Sequence, residues 1–105
     1  MMKHIEDAIL STFLFSNDFG LNMDEVFKLD VKAFTSPYSQ RVAERINSVS
    51  DGCYGYLMTQ IEEKTVGTVH EAELIDIMAQ TPLVFSIAKR YHNDLVKQNR
   101  LRGAV

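Results

Sequence analysis

The side chains best equipped for chemistry in this 105-residue chain are His4, His70, His92, Cys53 and the acidic pairs Glu62–Glu63 and Glu71–Glu73. Two histidines four residues apart on a helix would present two metal ligands on one face, but no two of these three have that spacing. His70-Glu71-Ala72-Glu73-Leu74 begins like a zincin motif and lacks its second histidine, so His70 reads as a residue of a helix's first turn. Cys53 has no histidine or basic residue beside it in sequence to draw off its proton, and reads as a small packed side chain near a helix start. The glutamate pairs could serve acid–base work, yet charged helix ends on a solvated face account for them. A phosphate loop needs backbone amides and a lysine around the phosphates. Glycines 20, 52, 55, 67 and 103 are scattered and none precedes a lysine. The reading is of a non-enzyme, with no catalytic residue, metal site or cofactor.

The other concentration of reactive charge is cationic. From Thr81 onward the chain carries Lys89, Arg90, Lys97, Arg100 and Arg102 against one acid, Asp94. Residues 77–105 carry five basic and one acidic side chains, whereas residues 1–76 carry six and thirteen, within a net charge of −3. Cations at a helix C-terminus complement the macrodipole. They could also meet phosphate, as a weaker, direct nucleic-acid contact, or an acidic protein surface. Only Tyr91 is interleaved among them, too few aromatics for a single-strand stacking surface.

These groups must be placed by helices. Ile5, Ile9 and Phe13, with Ala8, Leu10 and Leu14 beside them, predict a first helix over about 3–15 whose broad apolar face is covered on both sides. A turn cluster, Ser16-Asn17-Asp18-Phe19-Gly20, ends it. Asn22 or Asp24 caps a short second helix holding Met23, Val26 and Phe27, and Phe34 plugs the core from a connector. Ser36 as cap and Pro37 at the first helical position open a third helix, with Tyr38, Val42, Ile46 and Val49 inward and Gln40, Arg41, Glu44 and Arg45 in water. A fourth helix covers 53–64 through Tyr54, Leu57, Met58 and Ile61, despite Gly55. Thr68 and Glu71 fit a capping box for a fifth helix to about Ala79, burying Leu74, Ile77 and Met78. Val66–Val69 could form a strand, but no second alternating run exists to pair with it. The last helix runs from Thr81, its cap, and Pro82 to Arg102, with Phe85, Ala88, Tyr91 or His92, Leu95 and Leu101 along one stripe. Packing is expected to Leu95 and a projecting end beyond it.

The expected fold class is therefore all-α, one compact bundle of about six helices over residues 1–105 with a long C-terminal helix. With 46% hydrophobic and 24% charged residues, the composition is that of a soluble domain. No apolar run approaches the ~20 residues needed to span a bilayer, and Glu6 and Asp7 interrupt any secretory leader. A single cysteine fits a reducing, cytoplasmic compartment, and no membrane partner is expected.

Ile5-Glu6-Asp7-Ala8-Ile9-Leu10-Ser11, then Asp24-Glu25-Val26-Phe27, Phe34, Ser36-Pro37-Tyr38 and the helix through Ile46, resembles the opening of DnaB-family replicative DNA helicases. In that family an E-x-A-(I/L)-L-G helix precedes a short helix and a DF…P-x-(H/N) turn. Glu71 to Pro82 resembles a later helix and turn of the same domain, and Lys97 to Arg102 the basic run opening its helical hairpin. Ser11 stands where the family has glycine, residues 50–69 have no counterpart, and no ATPase segment follows. The resemblance implies a non-catalytic collar domain that supports oligomerisation and contacts primase or a helicase loader. It places self-association on the last helix, at Tyr91, Leu95 and Leu101, while the basic contact face of Lys89, Arg90, Lys97, Arg100 and Arg102 is read from their charges alone. The helicase-binding domain of primase has a similar helical fold and is the alternative, with a stand-alone helical DNA-binding protein as the third. A chain opening on Met1-Met2 favours the helicase side.

Overall fold

Polar residues on the first helix organise the fold as much as apolar ones do. The computed structural model describes residues 2–103. Among them are five α-helices, α1 (Met2–Leu14), α2 (Pro37–Asn47), α3 (Tyr54–Thr65), α4 (Glu71–Met78) and α5 (Phe85–Gly103), with 3-10 turns at Met23–Glu25 and Val31–Ala33. No strand occurs among them, so Val66–Val69 is a turn; Gly67, at φ +83°, takes the left-handed conformation that ends α3. The expected short second helix is the single 3-10 turn at Met23, capped by Asn22, whose side chain accepts from the Asp24 amide.

α1 is the hub, with α2, α3, α4 and α5 all packed around it. Phe13 on α1 meets Phe27, Tyr54 and Phe85 edge-on at centroid distances of 5.1, 5.7 and 5.1 Å. This cluster joins α1, α3, α5 and the 20–30 loop, with geometry that adds to the area buried. Four polar residues of α1, Glu6, Asp7, Ser11 and Thr12, are buried too, whereas His4 is exposed. The Glu6 carboxylate accepts from the Thr35 amide at 2.8 Å and from its hydroxyl. Ser11 Oγ donates to the Gln80 carbonyl at 2.9 Å, and the Leu83 amide donates to Thr12 Oγ1 at 2.9 Å. Lys3 bridges Asp7 and Ser39. Burial pushes the Asp7 carboxyl above the usual carboxylate range, and Lys3 only partly opposes it.

Those straps correct the start of the last helix. Thr81 and Pro82 lie in an extended segment and α5 begins at Phe85, because the backbone at 80 and 83 is bonded to Ser11 and Thr12. The Val84 carbonyl receives the first helical amides, from Ile87 and Ala88. The capping box is also displaced. Thr68 Oγ1 accepts from the His70 amide, and Glu71 reaches back to Gly67, one residue beyond the expected partner. Ser36 does cap α2, accepting from the Ser39 amide, and Phe34 sits in the core at 1% exposure. Met78, expected in the core, is 42% exposed, as is Ile75 beside it at 56%. Buried Leu74 and Ile77 form the inward edge of α4, and an eight-residue helix on one side of α1 buries no more.

Candidate functional site

α5 presents three faces. Phe85, Ala88, His92 and Leu95 are buried, and Val96 packs against the core from its edge. His92, not Tyr91, takes the central position. Its Nε2 accepts from the Asp30 amide at 2.8 Å and its ring lies 5.3 Å from Phe27. Burial holds this imidazole below its usual pKa, against the smaller opposing effects of Asp30 and Asn93. Lys89, Arg90, Lys97 and Arg100 are exposed, and at 3.6 residues per turn they share a sector of about 100°. Ile87 and Tyr91, each 41% exposed, with Val84 before them, form a third, apolar stripe.

The expected interface residues are therefore not one patch. Leu95 is 3% exposed and belongs to the core, whereas Tyr91 and Leu101 (65% exposed) are at the surface. Val96 is the last apolar side chain packed against the core, while the helix continues to Gly103. Arg102 is helical in its backbone, and its side chain lies outside the described residues.

Cys53 is exposed rather than packed. It occupies the residue before α3 without capping it. That task falls to Asn17, which accepts from the Gly55 amide at 3.1 Å and donates to the Gly52 carbonyl. The shallow cavity beside Cys53 is lined by residues such as Arg45, Asp51, Tyr56 and Gln60 and by no histidine.

A second site lies between α2 and α3, closed at one end by the turn before α4. It is a cavity of about 570 Å³ with Tyr38, Val42 and Ile61 as its apolar surface and Arg41, Arg45, Lys64 and His70 among its polar lining. Arg41 donates to His70 Nε2 at 3.1 Å. A guanidinium can only donate, so Nε2 accepts and the imidazole proton sits on Nδ1, which faces Glu73 Oε1 at 3.6 Å. Glu73 is fixed in turn by the Ser36 hydroxyl, at 2.6 Å. The His70 ring stacks on Tyr38 at 5.1 Å and 14°. The Tyr38 hydroxyl pairs with Thr65 at 2.8 Å, and burial holds this phenol above its usual pKa. Arg45 donates to Gln60 Oε1 at 2.9 Å, across from α2 to α3.

Arg41 is exposed, as the periodicity suggested, and Arg45 and Gln40 are the departures. Arg45 is half-buried, and Gln40 reaches back to the Phe34 carbonyl at 2.8 Å. The available signal was spacing: Arg45 follows Tyr38 by seven residues, which returns it to within about 20° of the tyrosine's face. The partners Gln60, His70 and Lys64 arrive from α3 and the following turn, which no local pattern announces. Among the described residues Lys3–Asp7 is the one ion pair made by a lysine or arginine, and Glu73 faces His70 at 3.6 Å, so neither arginine of this cavity is matched to a carboxylate. No group of three or more His, Cys, Asp or Glu side chains among them is arranged to hold a metal ion. No helix among them is long and apolar enough to cross a membrane. The chain matches no protein-family model, no curated protein and no solved structure.

Proposed function

We propose that this chain is a non-catalytic protein–protein interaction domain of a replicative DNA helicase, a collar-like head that self-associates and receives primase or a helicase loader. The observation carrying the reading is the division of α5, which leaves the core at Val96 and runs on to Gly103 with Tyr91 and Leu101 exposed. A helix that outruns its own core presents side chains to something else. The sequence resemblance at Glu6–Ser11, Ser36–Tyr38 and Lys97–Arg102 supplies the helicase setting. The all-helical fold is compatible with it, and equally with the helicase-binding domain of primase.

Light scattering on the whole chain and on its Tyr91→Glu/Leu101→Glu variant tests the self-association. The expected result is an oligomer that the variant dissociates without loss of helicity. A monomer at every concentration that also fails to bind a cognate primase or loader would rule the proposal out. Leu95→Glu is a poor probe, since it would unfold the core before it reported on an interface.

The exposed sector of Lys89, Arg90, Lys97 and Arg100 favours a second reading, direct contact with nucleic-acid phosphates. Each phosphate contact should steepen the salt dependence by roughly 0.7 to 0.9 log units of affinity per log unit of salt. Failure to bind single- or double-stranded DNA at low salt removes this reading and leaves the first standing.

A further inference from the structure

We infer that the α2–α3 cavity is a binding site for a phosphomonoester carried on an apolar or aromatic body. The inference is independent of the role proposed for α5. Half of the six basic residues in the otherwise acidic stretch 1–76 line this one cavity. Arg41 and Arg45 are held by neutral acceptors, His70 and Gln60, so their guanidinium groups are positioned while their charge stays uncompensated. Lys64, on α3, lines the same cavity. Arginines four residues apart on one helix are neighbours, close enough for both to reach a single oxyanion.

The charge balance selects the ligand. Three cations stand against one lining carboxylate, Glu44, which forms no ion pair with any of them, and Glu73, outside the lining, is engaged by Ser36 and His70, leaving two positive charges along the lining itself. A phosphomonoester carries about −1.5 to −2 at pH 7 and matches that excess, where a carboxylate would leave one cation over. The cavity's hydroxyls are already engaged. Ser48 donates to the Arg45 carbonyl, Thr68 to the Thr65 carbonyl, and Thr65 pairs with Tyr38. A ligand's polar end must therefore be held by the cations. Its body would lie against the edges that the largely buried Tyr38, Val42 and Ile61 present to the cavity, in about 570 Å³, a volume within the usual range for small-molecule sites.

Phenyl phosphate is a suitable probe, followed through amide chemical shifts of the whole chain. Shifts are expected at α2, α3 and residues 65–70. Inorganic phosphate, lacking the body, should bind at least about tenfold more weakly, and so should phenyl sulfate, which carries one charge. Arg45→Gln and Lys64→Gln, on different helices, should each weaken phenyl phosphate about tenfold with the fold retained, while Lys89→Gln on α5 leaves it unchanged. If binding is confined to the α5 cations, or no shifts appear at millimolar probe, the site assignment is wrong. Equal affinity for inorganic and phenyl phosphate overturns the apolar body, and equal affinity for the sulfate overturns the charge match. A free phosphorylated metabolite and a phosphorylated aromatic side chain of a partner share this chemistry. Nucleoside monophosphates and a phosphotyrosine peptide, titrated in parallel, tell them apart.

Discussion

α1 and the α2–α3 cavity both concentrate polar side chains, and they use them in opposite ways. On α1 and the turn that follows it, Glu6, Asp7, Ser11, Thr12 and Ser16 are buried, and each is matched to a backbone group or a neighbouring side chain. Among the described residues no buried side-chain nitrogen or oxygen is left without a partner. In the cavity, two guanidinium groups are oriented by neutral acceptors and face solvent. Leaving a buried polar group unmatched costs the full desolvation penalty, so the α1 set is obligatory for folding. A partly exposed cation pays little for lacking a carboxylate, so the cavity's charges are available for a ligand. The difference separates groups that hold the chain together from groups that the chain holds in place.

The sharpest way to break this contrast is Glu6→Ala. It removes both acceptors of Thr35 and opens space at a fully buried site, so the expected loss is about 3 kcal/mol. At the sensitivity of a domain this size, thermal unfolding should fall by more than about 10 °C. Glu6→Gln should recover most of it, since an amide oxygen still accepts from the Thr35 amide and its NH2 can donate to the hydroxyl. A loss below about 1 kcal/mol for the alanine variant would mean that α1's polar set is incidental.

Thr12→Val tests one strap with the volume nearly unchanged. The Leu83 amide loses its acceptor, and the cost should be about 1 to 2 kcal/mol in urea melts. Amide exchange should quicken first at Leu83, because that bond holds the segment between α4 and α5. This strap also shows what the sequence could and could not say. Thr81-Pro82 is a sound local start signal, and it lost to a contact spanning 71 residues, Leu83 to Thr12. The helices with apolar stripes, α1, α2 and α3, were legible to within one or two residues, α2 ending at Asn47 short of Val49, and the Ser36-Pro37 start was read directly. Buried Glu6 and Asp7 were not, because a helix pattern is read from its apolar positions. The cavity was missed for the same reason. Its two arginines are ordinary surface residues until α3 and the turn at 65–70 supply Lys64, Gln60 and His70.

His92 brings a titratable group into the same contrast. Its buried imidazole is neutral, accepting from Asp30, and its pKa is lowered by burial. The unfolded chain therefore takes up a proton near pH 6.5, before the folded one does. Stability should be intact above about pH 6.5 and fall as the pH drops from there to the lowered folded value. His92→Gln should flatten that slope. Asp7 works the other way. Its carboxyl is raised above 3.8, so the unfolded state ionises first and folding is favoured as the pH falls toward 3.8. The pH profile of urea midpoints should thus show a decline beginning near neutrality that weakens at the acid end.

The smallest expected effect is the most informative. Arg45→Gln loses a hydrogen bond to Gln60 across the α2–α3 packing, yet it also removes a half-buried positive charge from a cluster of three. A glutamine can still reach toward Gln60, and the repulsion of Arg41 and Lys64 is relieved. Stability should therefore stay within about 0.5 kcal/mol of the parent in the same melts that register Glu6→Ala. A loss of about 2 kcal/mol would class Arg45 with the α1 residues, as a structural clamp between helices, and the cavity would then be a by-product of packing. An unchanged or slightly raised stability, combined with weaker phenyl phosphate binding, means that the arginine is retained against a small energetic disadvantage. A charge kept where folding does not need it must be serving a partner.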